Sequence, residues 1–413
     1  MRRADVPGTD QQMSEGNLHA ERVADIQREL RARQLGGWLF YDFRKSDPLA
    51  YRILKLSVHG VTSRRWFYYV PAEGEPVKIV HRIEDDKLDS LPGRRRIYLP
   101  WQQQHEFLRE ALAGARRVAM QYSPMNAIPY ISRVDAGTIE LVRSFGVEVV
   151  TSAELVQQFE AVWTRDQLAT HIAAAEAVHR IIHEAFAEIA RGIQADEAVT
   201  EYSIQQFILR RFADARMVTH APPIVAVNAN SANAHYGPTA EHYAPIRRGD
   251  YVLLDVWAKL DRPESVYADL SWTGFVGKSV PDRYAAIFRI VAEARDAAVA
   301  LIRKHVAAGE PLRGADVDDV SREVIRRAGY AEVFNNRTGH SIGEEVHGNG
   351  ANIDNLETPD ERLIVPRTCF SIEPGIYLKG DFGLRSEIDV YVGEDDIVIA
   401  GQPIQTEIIP ILP

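Results

Sequence analysis

The stretch CFSIEPGIYLKGDFGLRSEIDVYVG, Cys369 to Gly393, places two glutamates, Glu373 and Glu387, inside runs that otherwise read as half-buried strand. Carboxylates in such positions are costly unless paired, hydrogen-bonded or metal-bound. An earlier stretch, YVLLDVWAKLDRPESVYADLSWTGFVG from Tyr251 to Gly277, does the same with Asp255 and Asp269. Both acidic pairs are spaced by 14 residues, and the two pairs are offset by 118. A pair of helical patterns precedes each stretch, and ILRR at 208–211 in the first is answered by VIRR at 324–327 in the second, an offset of 116. Self-similarity on this scale fixes architecture early. It implies an α+β domain with a pseudo-twofold internal repeat and its site on the axis.

Taken singly, each acid has a plainer reading as a strand-end, turn or salt-bridged residue. Four of them in symmetric spacing, joined by the histidine stretch TGHSIGEEVHGNG at 338–350, outweigh it. Four carboxylates and the imidazole of His340 are enough for two divalent cations that share bridging oxygens. A mainly oxygen donor set suits manganese first, and the imidazole also admits cobalt, zinc or iron. Glu344 and Glu345 read as turn residues.

The rest of the chain bounds the alternatives. A length of 413 residues suggests two to three domains at roughly 150 residues each. With 46% hydrophobic and 26% charged residues the chain can bury a sizeable core. The net charge of −10, with basic clusters no longer than Arg94–Arg96, argues against nucleic-acid binding. The single cysteine, Cys369, excludes a disulfide framework and points to a core role in a reducing, cytoplasmic setting. Nowhere do 18 apolar residues run together, so no membrane helix is expected. Residues 1–17 read as a flexible leader, 18–158 as an α/β N-terminal domain of alternating strands and helices, and 159–413 as the repeat-bearing domain.

Asp255, Asp269, His340 in TGHSIG, Glu373 in EPGIY and Glu387 in LRSEID resemble, in order, the five metal ligands of the pita-bread metallopeptidases, and within them the aminopeptidase P and prolidase branch. The resemblance runs from about 160 to 405. It implies a pita-bread catalytic domain and a homodimer. The implied activity is hydrolysis of the Xaa-Pro bond of dipeptides or short peptides by a hydroxide bridging two metal ions. In that scheme Asp255 holds one metal, Asp269 and Glu387 bridge, His340 and Glu373 complete the second, and Glu373 is also the general acid and base. His347 would contact the substrate carbonyl and its tetrahedral intermediate, and His235, in NANSANAHYGP, would face the substrate pocket. Tyr377 would support the intermediate. Arg385, two residues before Glu387 and so on the same strand face, is better read as orienting a ligand than as touching substrate.

Other features are weaker. His179 and His183, with Glu184 following, share a helical face, but a packing pair is the better reading. GNGANID lacks the lysine of a phosphate loop. The sequence also departs from the family. The two aspartates are about three residues further apart than usual, around KLDRPES, and Trp257 stands where a glycine is common and is expected to narrow the pocket. The arginine that dipeptide-specific prolidases use for the substrate carboxylate is replaced by Pro359, with Arg362 and Arg367 nearby. Two rivals follow: a metal-free creatinase-like hydrolase of a small guanidino compound, and a non-catalytic pita-bread binding protein.

Overall fold

The computed structural model describes residues 9–413, with side chains from residue 17 onward. The first eight residues of the expected leader lie outside the described residues. The chain divides into two compact units, Met1–Glu160 and Ala161–Pro413.

The first unit is built on six strands: β1 (Gly37–Asp42), β2 (Trp66–Pro71), β3 (Val77–His81), β4 (Arg94–Tyr98), β5 (Arg117–Met120) and β6 (Glu148–Thr151). They lie in the order β4-β3-β2-β1-β5-β6. Strand β2 is antiparallel to both its neighbours and the other pairings are parallel, so five strands share one direction. The sheet is covered on both faces, which is why β1 is buried at every position and apolar from Trp38 to Phe40. Alternate residues serve opposite cores: Trp38 and Phe40 join one cluster, Leu39 and Tyr41 the other. Helices α1 (Thr9–Ala32), α2 (Pro48–Ile53) and α5 (Ala153–Glu160) pack on the first, while α3 (Trp101–Ala111) and α4 (Ala136–Arg143) pack on the second.

In the second unit, helices α6 (Arg165–Gln194) and α7 (Glu201–Asp214) each begin at a threonine whose hydroxyl accepts from the backbone three residues on, completing a capping box. Short strands β7 (Met217–Val218) and β8 (Ile224–Val227) lead to the hairpin β9 (Tyr251–Leu260) and β10 (Ala268–Phe275). The second half repeats the plan. Helix α8 (Asp282–Ala308) stops at Gly309 in the left-handed region (φ 63°), and α9 (Gly314–Arg327) follows. Then come β11 (Ser341–Ile342), β12 (Cys369–Ile372), β13 (Gly375–Leu378), β14 (Phe382–Arg385), β15 (Ile388–Val392), β16 (Ile397–Ile399) and β17 (Ile409–Pro410).

The expected repeat is visible as two helix pairs covering two antiparallel ladders. One core joins α6 and α7 to β9 and β10, and another joins α8 and α9 to β12 and β15. The halves differ in how their ladders are joined: β9 and β10 are sequential, whereas the β13–β14 hairpin is inserted between β12 and β15. The KLDRPES region leads from β9 into the turn before β10, and both aspartates lie on their strands. No described helix is long and apolar enough to cross a membrane.

Candidate active site

Register places the first two acids. In the β9–β10 ladder Asp255 lies opposite Ser271 and Trp257 opposite Asp269, so all four side chains share one face. In the β12–β15 ladder the last pair is Ile372 opposite Ile388, and the next position outward on each chain holds Glu373 and Glu387. The two ladders meet here: the Asp269 amide donates to Asp389 Oδ2 of β15 at 2.9 Å, and the Ser271 hydroxyl donates to Glu387 Oε2 at 2.6 Å.

The histidine segment is held against β12 by backbone that admits no side chain at Gly339, where an added Cβ would meet the Ser371 carbonyl oxygen at 1.9 Å. That close approach lets the His340 amide donate to Ser371 Oγ at 3.0 Å while the Ser371 amide donates to the His340 carbonyl at 2.9 Å. His340 Nδ1 lies 3.2 Å from the Ser341 carbonyl oxygen. A carbonyl only accepts, so Nδ1 carries the proton and Nε2 presents its lone pair. That lone pair faces two more acceptors, Glu373 Oε1 at 3.4 Å and Asp269 Oδ2 at 3.6 Å.

A lone pair turned toward carboxylates needs something positive between them. Ligand atoms of Asp269, His340 and Glu387 all lie within 4.8 Å of one another, and Asp269 Oδ1 is buried without a hydrogen-bond partner. Burial, then the charges of Asp255, Asp389 and Glu373, push the Asp269 carboxyl well above the usual range. Burial followed by Asp269, Glu373 and Asp255 does the same to Glu387. Burial raises Glu373 to about 7 against the opposing pull of Arg385 and Arg337. Burial first, then His347 and Arg337, keep His340 neutral, well below its usual range. Oxygen donors crowded against their own repulsion, with a bare imidazole nitrogen among them, are the donor set a divalent cation requires.

Asp255 is held differently. Its Oδ2 pairs with Arg385 Nη2, and Arg385 Nη1 donates to the Tyr377 hydroxyl at 3.3 Å. Arg385 Nε donates to Ser271 Oγ at 3.0 Å, so the guanidinium braces one acid directly and another through a serine.

His347 stands beside His340, ring centroids 4.2 Å apart, with its outer edge exposed. Crowding by protein, then the charges of Arg337, His220 and His235, lower its pKa to about 4. His235 is exposed, and its amide is turned onto Asn233 Oδ1 at 3.1 Å. Trp257 is half-buried, its indole Nε1 has no hydrogen-bond partner, and its ring lies 6.2 Å from that of His220.

Other residues fall outside the cluster. His179 and His183 pack on Trp272 at 5.1 and 4.8 Å, and Glu184 pairs with Arg211, as a packing pair should. Arg362 is buried in a pair with Asp360 and donates to the Asn349 carbonyl at 2.8 Å; Arg367 is exposed, 3.9 Å from Glu394. The Arg362 guanidinium is thus already engaged. Glu344 and Glu345 are exposed, and the Glu345 carbonyl accepts from the Gly343 amide at 3.0 Å, as in a turn.

Sequence reasoning missed Ser271 and Asp389. Ser271 could have been found: it is two residues beyond Asp269 and so on the same strand face. Asp389 could have been found in the same way from Glu387. Its Oδ2 lies 3.8 Å from Nε2 of the fully buried His171, whose Nδ1 donates to the Tyr267 carbonyl at 2.7 Å. Cys369 packs against the same imidazole at 3.9 Å, in the core role expected of it.

A sequence profile of metallopeptidase family M24 matches residues 171–394. A protein named Xaa-Pro dipeptidase from Lactobacillus helveticus is 34% identical over 191 residues, 46% of this chain and 47% of its own length. Another of that name, from Lactobacillus delbrueckii subsp. lactis, is 33% identical over 171 residues, 41% of this chain and 42% of its own. In sequence, then, the match spans about half the length of these relatives. Among solved structures, dipeptidase PepE from Mycobacterium ulcerans superimposes with a TM-score of 0.71 at 24% identity, covering 96% of this chain and 99% of that one. A prolidase from Thermococcus sibiricus gives 0.64 at 21% identity, covering 94% and 98%. These likenesses carry the fold, an α/β unit followed by a pita-bread unit. The profile takes in more than half of the chain, Asp255, Asp269, His340, Glu373 and Glu387 all fall inside it, and the chain belongs to metallopeptidase family M24.

Proposed function

We propose that this protein is an exopeptidase that hydrolyses the Xaa-Pro bond of dipeptides or short peptides. The observation that supports this most is the convergence of Asp269, His340 and Glu387 around a bare imidazole nitrogen in the core of an M24 unit. Two divalent cations, manganese in our reading, would be held by Asp255, Asp269, His340, Glu373 and Glu387. When bound they supply Lewis acidity, which polarises the scissile carbonyl and eases loss of a proton from water.

The remaining work falls to side chains. Glu373, buried beside His340, takes the proton from the attacking water and returns it to the departing proline nitrogen. His347 hydrogen-bonds the carbonyl oxygen as negative charge develops on it, and His235 orients the substrate across the cleft. Arg385 holds the Asp255 carboxylate and the Ser271 hydroxyl in place, and Tyr377 is held by the same guanidinium. Trp257 and His220 wall the pocket beside Asp269. We read the protein as cytoplasmic, in keeping with its single buried cysteine, and as a homodimer.

The test is turnover of Gly-Pro, Ala-Pro and Xaa-Pro-Yaa peptides after chelation and reloading with manganese, cobalt or zinc. Hydrolysis only by the reloaded protein is expected. Full activity in the chelated protein would favour the metal-free rival and sink this reading.

A further inference from the structure

The first unit contains a cleft of about 820 Å³ that the hydrolytic reading leaves unused. It lies where three strands of one direction end, and Tyr41 of β1, His81 of β3 and Tyr98 of β4 line it. Open α/β sheets take ligands in the crevice outside the carboxyl ends of their strands. Helices α3 and α4, which follow β4 and β5, start at the same end of the sheet, where helix starts carry partial positive charge. Trp101, the first residue of α3, and Gly137 and Thr138, in the first turn of α4, line the cleft. Pro100, which caps α3, offers its first amides no side-chain acceptor.

The charges in the lining point the same way. Arg44, Arg64 and Arg65 face the cleft. Among the described residues none of the three guanidinium groups pairs with a carboxylate: Arg44 lies 5.1 Å over the Phe43 ring, and Arg64 Nη1 turns back to the Ser63 hydroxyl at 3.0 Å. Asp135, the acid in the lining, is already engaged, accepting from the Thr138 amide at 2.9 Å and the Thr138 hydroxyl at 2.8 Å. A chain of net charge −10 has gathered unpaired cations in one concavity. At the rim Trp101 is 58% exposed and Leu99 49% exposed, leaving apolar surface beside the charge.

We propose that this cleft binds a small organic phosphate carrying a planar ring, the chemistry of a nucleoside monophosphate. The arginine forks and the uncapped start of α3 take the phosphate, whose two negative charges match several cations better than a single carboxylate would. The ring stacks on the open face of Trp101. The volume suits such a ligand, since pockets for small molecules run to roughly 300–1,000 Å³.

Calorimetric titration of the full chain tests this with adenosine monophosphate, adenosine and inorganic phosphate as probes. Adenosine monophosphate should bind, and adenosine should bind about tenfold more weakly or worse, the size of one lost charge-assisted hydrogen bond. Arg65→Ala should weaken both phosphate probes about tenfold or more. Trp101→Ala should weaken adenosine monophosphate and leave inorganic phosphate unchanged. Melting curves without ligand identify any misfolded variant; Arg64→Ala and Trp101→Ala alter exposed side chains and carry the test if Arg65→Ala does not fold. Absence of heat with both phosphate probes, equal affinity for adenosine and its monophosphate, or an unchanged affinity in the folded arginine variants overturns the proposal.

Discussion

The two units gather charge in opposite ways. In the second, Asp255, Asp269, Glu373 and Glu387 are buried together with one arginine directly braced against them. In the first, Arg44, Arg64 and Arg65 line an open cleft with no acid pairing to them. Water screens the arginines of the cleft and is excluded from the buried acids, so like charges cost little in the cleft and a great deal in the core. A buried set of like charges persists only when its members bind protons or cations. The acidic site should therefore answer strongly to metal, pH and mutation, and the basic cleft weakly.

The comparison breaks first at the proposed metal ligands. Asp269→Ala and Glu387→Ala should lose metal, measured by elemental analysis, and lose turnover by more than the roughly hundredfold typical of changes behind the ligands. Either variant with full metal and full rate would remove the site from the second unit.

A pH experiment sharpens it next. In chelated protein the Glu373 carboxyl is raised to about 7 by burial, so between its ordinary pKa of about 4.3 and about 7 the folded state holds a proton that the unfolded chain has released. Stability from this group is then present at low pH and lost as pH rises through 7. Relative to Glu373→Gln, the chelated wild type should lose melting temperature between pH 5.5 and pH 7.5 in calorimetry. A flat difference between the two would mean that the carboxyl is not strained.

Ser271→Ala tests the hydroxyl that accepts from Arg385 and donates to Glu387. A drop of about ten- to hundredfold in kcat with little change in KM is expected. A KM effect alone would make the serine a substrate contact. Trp257→Ala should change relative rates among Xaa-Pro dipeptides by about tenfold while leaving metal content intact, as pocket-wall changes do. The smallest effect belongs to the basic cleft, where Arg64→Ala should move unfolding free energy by no more than about 0.5 kcal/mol. A larger loss in denaturant titration would mean that its guanidinium has an acidic partner after all, and the contrast between the units would narrow.

How much of this was written in the sequence follows from how each feature is encoded. The acids and His340 could be read because their spacing repeats and because carboxylates in apolar runs are conspicuous. The helix pairs could be read from their periodicity. The inserted β13–β14 hairpin breaks the repeat and has no signal in the spacing of the acids. Ser271 and Asp389 act through register across strands, and a serine in a strand announces nothing. Arg362 looked available because it lies near the expected carboxylate-binding position, yet Asp360, two residues away, claims it. The cleft residues are scattered from 41 to 141 and meet only at the ends of a folded sheet.

His340 gives its Nδ1 proton to the carbonyl of the next residue. Many imidazole ligands are oriented by another side chain, which mutation can remove. Here the acceptor is main chain and is present whatever residue occupies position 341. The tautomer therefore tolerates any substitution at position 341 that leaves the backbone in place.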